Sequence, residues 1–264
     1  MLSGQHETVA AGIYAGQDQM KAILLSAGMG KRLRPLTYSF PKALAPLNGR
    51  PLLDYWLEIC EAGGISEVLI NGHYLADQIE AFVRHARPRY RMDIHFVYEK
   101  RLFGTGGTVK RCKNFVADDD VFFFCHSDNF TNIDLKHFIE FHRKRDTELS
   151  VALFRTSMPN QCGIAEAMDD DGLITEFTEK PLNPKTNLAS AAMFLMSPSV
   201  IDRYFPEREH IDFSRDILPG MAGNMYGYLF EGFNIDIGTL QNYESANRMA
   251  FKWPDIKETE IHPL

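Results

Sequence analysis

The first segment equipped for chemistry is Gly28-Met29-Gly30-Lys31-Arg32, with Lys42 a short distance downstream. Glycines leave the backbone free to close around an anion, so that N–H groups point at phosphate oxygens. Lys31, Arg32 and Lys42 add the positive charge that a triphosphate needs, Arg32 as a two-pronged donor. The pattern is neither a Walker A loop nor a complete dinucleotide fingerprint. On the glycines alone, a strand-to-helix turn with solvated cations accounts for it equally well. Two acidic positions follow: Asp128, closing His126-Ser127-Asp128, and Asp236, opening Asp236-Ile237-Gly238-Thr239. Carboxylates hold hard cations, although either aspartate alone also reads as a cap or turn residue. Glu179-Lys180-Pro181 reads by composition as an exposed charge pair before a proline.

These residues need elements to bring them together. Ala22–Leu25 is a short apolar run closed by the glycine turn, the pattern of a buried parallel strand entering a loop. Pro51 and Gly63-Gly64 bracket an amphipathic helix over 52–62, with Leu53, Trp56, Leu57 and Cys60 on one face. Strands are predicted over 68–70, 94–98, 121–125 and 149–154, and helices over 75–85 and 134–145. Such alternation implies an α/β fold, a Rossmann-like, doubly wound and mainly parallel sheet. Ligands of such sheets bind beyond the carboxyl ends of the strands, where the glycine loop and Asp128 both fall. The second half reads as an inserted substrate-binding lobe: a hairpin over 164–179 turning at Asp169–Gly172, strands over 191–196 and 226–230, and helices over 199–204, 214–221 and 240–251. One domain is expected over 20–253, divided into a nucleotide half (about 20–150) and a substrate half (about 151–253). Residues 1–19 lack apolar periodicity and read as a disordered extension, with 254–264 as a tail.

The 264 residues carry a net charge of −7 and a pI near 5.7, which argues against nucleic acid or an anionic membrane as a partner. Cys60, Cys112, Cys125 and Cys162 are scattered and form no C-x-x-C pair, as expected of reduced thiols in a cytoplasmic protein. Asp118-Asp119-Asp120 and Asp169-Asp170-Asp171 match the D-x-D spacing of metal-dependent glycosyltransferases. One precedes a strand and the other sits at a hairpin, so both read as surface turns. His126 lies near the expected cleft and reads as a hydrogen-bonded structural residue.

Leu25 to Thr37, followed by Pro41-Lys42, resembles the G-x-G-x-R-L-x-P-L-T signature of the sugar-1-phosphate nucleotidyltransferases, which make NDP-sugars. Phe103-Gly104-Thr105-Gly106-Gly107, His126-Ser127-Asp128, Cys162-Gly163-Ile164, Glu179-Lys180-Pro181 and Asp236-Ile237-Gly238-Thr239 resemble further landmarks of that family, in order. The resemblance implies an enzyme joining a nucleoside triphosphate to a sugar 1-phosphate, with Mg²⁺ as cofactor and pyrophosphate as second product. It assigns catalysis to Arg32, Lys42, Asp128 and Asp236, the two aspartates holding Mg²⁺ from opposite sides of the cleft. Leu25, Ala27, Gly28, Met29, Gly30, Lys31 and Arg32 would bind the nucleotide, whose base would meet Gly104, Thr105 and Gly106. Gly163, Glu179, Lys180 and Ser190 would bind the sugar phosphate.

Two departures stand out. Ser127 replaces a usual glycine, where it would alter the approach of the ribose. Ser190-Ala191-Ala192 replaces a common Asn-Ala-Gly run, where a sugar contact would change. The Gly-Thr-Gly-Gly segment resembles purine-accepting members, so GTP with mannose or heptose 1-phosphate is the expected pair. The alternatives are a uridylyltransferase for an amino-sugar 1-phosphate and a catalytically silent regulatory homologue. All four catalytic positions being filled argues against the last. No nucleic-acid or membrane partner is expected, and a homo-oligomer is left open.

Overall fold

The apolar run ahead of the glycine loop forms the strand β1 (Met20–Leu25) at the centre of the molecule. A computed structural model of the chain describes residues 20–253; the expected extension (1–19) and tail (254–264) lie outside the described residues. In chain order, β1 is followed by a two-residue ribbon, β2 (Pro46–Leu47) and β3 (Arg50–Pro51), then α1 (Leu52–Ala62), β4 (Ile65–Gly72), α2 (Ala76–Ala86), β5 (Asp93–Tyr98) and α3 (Gly104–Arg111). Next come β6 (Phe122–His126), β7 (Asn129–Thr131), α4 (Leu135–Arg145) and β8 (Leu149–Arg155). The rest comprises β9 (Gly163–Met168), β10 (Ile174–Glu179), β11 (Leu188–Met196), α5 (Ser199–Tyr204), α6 (Phe213–Asp216), β12 (Tyr226–Leu229), β13 (Asn234–Asp236) and α7 (Leu240–Ala250).

The main sheet runs β5-β4-β1-β6-β11, and β8 and β12 continue it beyond β11. Strands β5, β4, β1 and β6 are mutually parallel. β11 is antiparallel to both β6 and β8, and β12 is parallel to β8, so β11 alone among these seven strands is reversed. The fold is the mainly parallel α/β sheet expected. The β9–β10 hairpin joins the same sheet through β11, where Ala189 pairs with Ile164. Register sets Leu25 beside His126, so the glycine loop and Asp128 leave the same edge of the sheet at the same level.

Alternation along the strands divides the core. Ala22, Leu24, Phe123, Cys125, Met193 and Leu195 pack against α1, α2, α4 and α7, while Ile23, Phe122, Phe124, Phe194 and Met196 pack against α3, α5 and α6. Helices on both faces are why the β6 run Phe-Phe-Phe-Cys is apolar throughout. The Phe124 ring stacks on Phe194 and meets Phe213 edge-on, both at 4.8 Å. Burying each ring contributes about 1.5–3 kcal/mol, and the pair geometry about 0.5–1.5 kcal/mol more. This cluster anchors α6 against the sheet.

The structure departs from expectation in three places. The single helix expected over 214–221 breaks into α6 and a 3₁₀ turn, Leu218–Met221. Leu218 precedes Pro219, which disfavours α geometry there and removes an N–H. Gly104-Thr105-Gly106-Gly107, which the family resemblance presents as a base-accepting loop, is the start of α3. The β7–β13 ribbon was not anticipated, each strand having three residues. Among the described residues no helix is long and apolar enough to cross a membrane.

His142, on the inner face of α4, is buried with Nδ1 2.9 Å from Ser150 Oγ. Burial, and then the Arg143 charge, pulls its pKa down to about 4. An unfolded histidine titrates near 6.5. Between those values the unfolded chain takes up the extra proton, so stability held above about pH 6.5 is lost as pH falls towards 4. The loss should reach about 3 kcal/mol. Urea midpoints at pH 7 and pH 5 measure it, and His142→Gln should flatten the difference.

Candidate active site

The glycine loop is held from both sides. Ser26 N donates to Asn71 Oδ1 at 2.6 Å, and the Ser26 and Ser127 hydroxyls lie 2.7 Å apart. Ser127 N and Oγ both donate to the Leu25 carbonyl, at 3.2 and 2.9 Å. Ser127 is fully buried in this joint between β1 and β6, its hydroxyl turned to the Leu25 carbonyl. Gly30 is left-handed, with φ 57°, and its carbonyl accepts from Thr37 Oγ1 at 2.8 Å. A Cβ there would stand 2.8 Å from Thr37 Cγ2, so only glycine fits the clasp. Gly28 faces open space, Leu25 and Met29 are partly covered, Ala27 is buried, and Lys31 and Arg32 are exposed.

The acid pair is built by the ribbon. Asp128 follows β6, and β7 pairs with β13 so that Asp236 lies opposite Asn129. Ile237 N donates to the Asp128 carbonyl at 3.2 Å. The two aspartates are therefore neighbours across a ribbon and do not face each other across the cleft, as the sequence had suggested. Trp56 Nε1 pins the Asn129 carbonyl at 2.9 Å, and Thr131 Oγ1 the Phe233 carbonyl at 2.8 Å. On the other strand, Asn242 Nδ2 donates to the Asp236 carbonyl at 2.8 Å.

Lys42 lies between the carboxylates. Its Nζ donates to Asp128 Oδ2 at 2.8 Å and to Asp236 Oδ1, with only 8% of the side chain exposed. Arg32 Nη2 reaches Asp236 Oδ2 at 3.2 Å, and Gly238 N donates to Asp236 Oδ1 at 2.9 Å. Burial pulls the Lys42 pKa down, but Asp128 and Asp236 outweigh it and leave the ammonium above its usual range. Burial likewise raises Asp128, yet Lys42 and His126 hold it below the usual carboxylate range. Among the described residues no group of three or more His, Cys, Asp or Glu side chains is placed to hold a metal. Two neighbouring carboxylates nonetheless fit Mg²⁺, which commonly takes one or two of them and completes its shell with substrate phosphates and water.

On the substrate side, Gly163 pairs with Glu179 across the hairpin. A Cβ on Gly163 would meet Phe177 Cζ at 2.6 Å and Glu179 Oε2 at 2.7 Å. Lys180 is left-handed, with φ 52°, its N donating to the Cys162 carbonyl at 3.0 Å and its exposed Nζ 3.6 Å from Glu179 Oε1. Burial raises the Glu179 pKa; Lys180 opposes this and Asp212 adds to it. Asp212, which caps α6, and Arg215 thus share the electrostatic surroundings of Glu179. Sequence reasoning missed both, because no motif links α6 to the hairpin.

Other expected residues have local duties. Ser190 Oγ accepts from Ala192 N at 3.2 Å, at an irregularity of β11 where Ala192 is left-handed with φ 55°. Gly104 and Gly106 admit the segment 209–213 against α3: Cβ atoms there would meet Ile211 O at 2.4 Å and Ile211 Cγ2 at 2.7 Å. Thr105 Oγ1 accepts from Phe213 N at 2.9 Å. Both D-x-D stretches serve as turns, Asp119 accepting from Lys21 N and Asp169 from Asp171 N and Leu173 N. His126 Nε2 is buried without a hydrogen-bond partner among the described residues, contrary to the bonded role expected of it.

A buried ammonium between two carboxylates, beside a glycine loop at the ligand edge of a mainly parallel sheet, equips an α/β protein to handle phosphates. Residues 21–252 match the Nucleotidyl transferase family model, and the chain belongs to that family. It is 29% identical to mannose-1-phosphate guanylyltransferase 1 of Arabidopsis thaliana over 87% of this chain and 64% of that protein. It is 31% identical to the low-salt glycan biosynthesis nucleotidyltransferase Agl11 of Haloferax volcanii, over 90% and 68%. The chain spans 62–64% of the length of its mannose-1-phosphate guanylyltransferase relatives. The crystal structure of HddC from Yersinia pseudotuberculosis complexed with GMP-PN shares the fold, with TM-score 0.73, 23% identity, and coverage of 87% of this chain and 99% of that one.

Ala192 carries a Cβ in a conformation that disfavours one. Ala192→Gly should therefore stabilise the protein by about 0.5–1 kcal/mol, the relieved clash exceeding the entropy that glycine adds to the unfolded chain. Denaturant midpoints of the two proteins decide it.

Proposed function

We propose that the chain transfers a nucleotidyl group from a nucleoside triphosphate to a sugar 1-phosphate. A phosphate oxygen of the sugar 1-phosphate attacks the α-phosphorus, the bond from the α-phosphorus to the bridging oxygen breaks, and pyrophosphate leaves with that electron pair. The observation that carries this reading is the joint of Lys42, Asp128, Asp236 and Arg32 beside the glycine loop. It concentrates cations and metal-binding carboxylates where the triphosphate would lie. The tasks are alignment and charge neutralisation, because both reactants are anions.

Gly28 and Gly30 let backbone N–H groups approach the phosphates, and Lys31, Arg32 and Lys42 neutralise them. Glu179 accepts hydrogen bonds from sugar hydroxyls, and Lys180 meets the sugar phosphate. Asp128 and Asp236 would hold Mg²⁺, which when bound neutralises phosphate charge. GTP with mannose 1-phosphate is the favoured pair, supported by relatives named mannose-1-phosphate guanylyltransferases; heptose 1-phosphate is the second candidate. The four cysteines are free thiols, which supports the cytoplasm as its location.

A pyrophosphate-release screen of four triphosphates against a panel of sugar 1-phosphates should give its highest kcat/KM with GTP and mannose 1-phosphate. A maximum with UTP and an amino-sugar 1-phosphate would overturn the substrate assignment. Asp236→Asn should lower kcat about 100-fold or more, because the amide keeps the shape and loses the charge. Near-normal turnover with Mg²⁺ present would remove Asp236 from the site. Arg32→Ala should raise KM mainly for the nucleotide and Lys180→Ala mainly for the sugar phosphate, each by about 10-fold or more. The reverse pairing in steady-state kinetics would undo the division of roles.

A further inference from the structure

We infer that Lys42 is a resident cation of the metal site, its ammonium standing between Asp128 and Asp236 until metal and nucleotide arrive together. The inference rests on the metal role given to the two aspartates above. Lys42 Nζ contacts one oxygen of each carboxylate, at 2.8 Å from Asp128 Oδ2, and is shielded from solvent. The remaining Asp236 oxygen accepts from Arg32 at 3.2 Å, and Gly238 N shares Oδ1 at 2.9 Å. A divalent cation drawn to both carboxylates would therefore meet a positive charge already in place.

Two features make the exchange physically reasonable. Without Lys42, only the exposed Arg32 would offset the two neighbouring carboxylates, so the ammonium brings the nucleotide-free site to charge balance. Lysine also carries its charge on a flexible four-carbon stem. The backbone of Lys42 is fixed in the 3₁₀ turn Lys42–Leu44 with Ala43 buried, so only the side chain need swing. A triphosphate at the adjacent glycine loop offers that ammonium a new anionic partner and frees both carboxylates. Metal entry is thereby coupled to nucleotide entry, and free divalent cations alone are kept out.

The test uses Mn²⁺ as probe, followed by electron paramagnetic resonance with no nucleotide present. Lys42→Gln and Lys42→Met should bind Mn²⁺ at least about 10-fold more tightly than the unmodified protein. Adding Asp236→Asn to either variant should abolish the gain. A Kd within about two-fold of the unmodified protein would overturn the inference, since removing a competitor must help. If the variants fold only with millimolar Mg²⁺, the metal has replaced the ammonium and the inference stands. If they fold neither with nor without Mg²⁺, the two cations are not interchangeable and it falls. The readout needs no turnover: a negative pyrophosphate screen would remove the proposed reaction and leave the Mn²⁺ result untouched.

Discussion

The contact of the Lys42 ammonium with the carboxylates of Asp128 and Asp236 is the interaction on which the rest of the site depends. It joins the turn after the glycine loop, the end of β6 and the end of β13, three segments far apart in the chain. A buried ammonium is costly unless it is paired, and paired carboxylates are costly unless they are compensated. Each member therefore requires the others, and the ribbon that aligns them is fixed by neutral hydrogen bonds from Trp56, Thr131 and Asn242. The charged centre is thus held in place by uncharged supports.

Backbone clearance is the second constraint. At Gly30 the left-handed turn and the Thr37 clasp exclude any side chain, which fixes where the loop N–H groups point. At Ser127 a polar residue is accepted because its hydroxyl turns inward to the Leu25 carbonyl. The family's common glycine is thus replaced there without filling the cleft. The substrate side has no equivalent clasp. Glu179, Lys180, Asp212 and Arg215 present mixed charge around the hairpin end.

What the sequence made legible follows from the strength of local signals. The limits of α1 match expectation because Pro51 and Gly63 bracket an apolar stripe, and β6 was plain because four consecutive apolar residues suit a strand covered on both faces. The glycine loop, Arg32, Lys42 and both aspartates were legible as a set through the family resemblance. Their mutual placement was not. Strands of three residues, such as β7 and β13, leave no periodicity to read, and they alone decide that Asp128 and Asp236 are neighbours. The start of α3 was hidden because three of its first four residues are glycine, a poor helix former. Packing of the segment 209–213 overrides that propensity. Asp212 and Arg215 reach Glu179 only through the tertiary fold.

The central claim is that the Lys42 joint is the point where metal and triphosphate are received. A crystal structure of the protein with Mn²⁺ and a non-hydrolysable GTP analogue tests it most directly, with anomalous scattering to locate the metal. The expected result is one Mn²⁺ coordinated by Asp128 and Asp236, with the Lys42 ammonium moved onto the phosphates. A nucleotide bound at the glycine loop while Lys42 still bridges the two carboxylates, and the metal lies elsewhere, would contradict it.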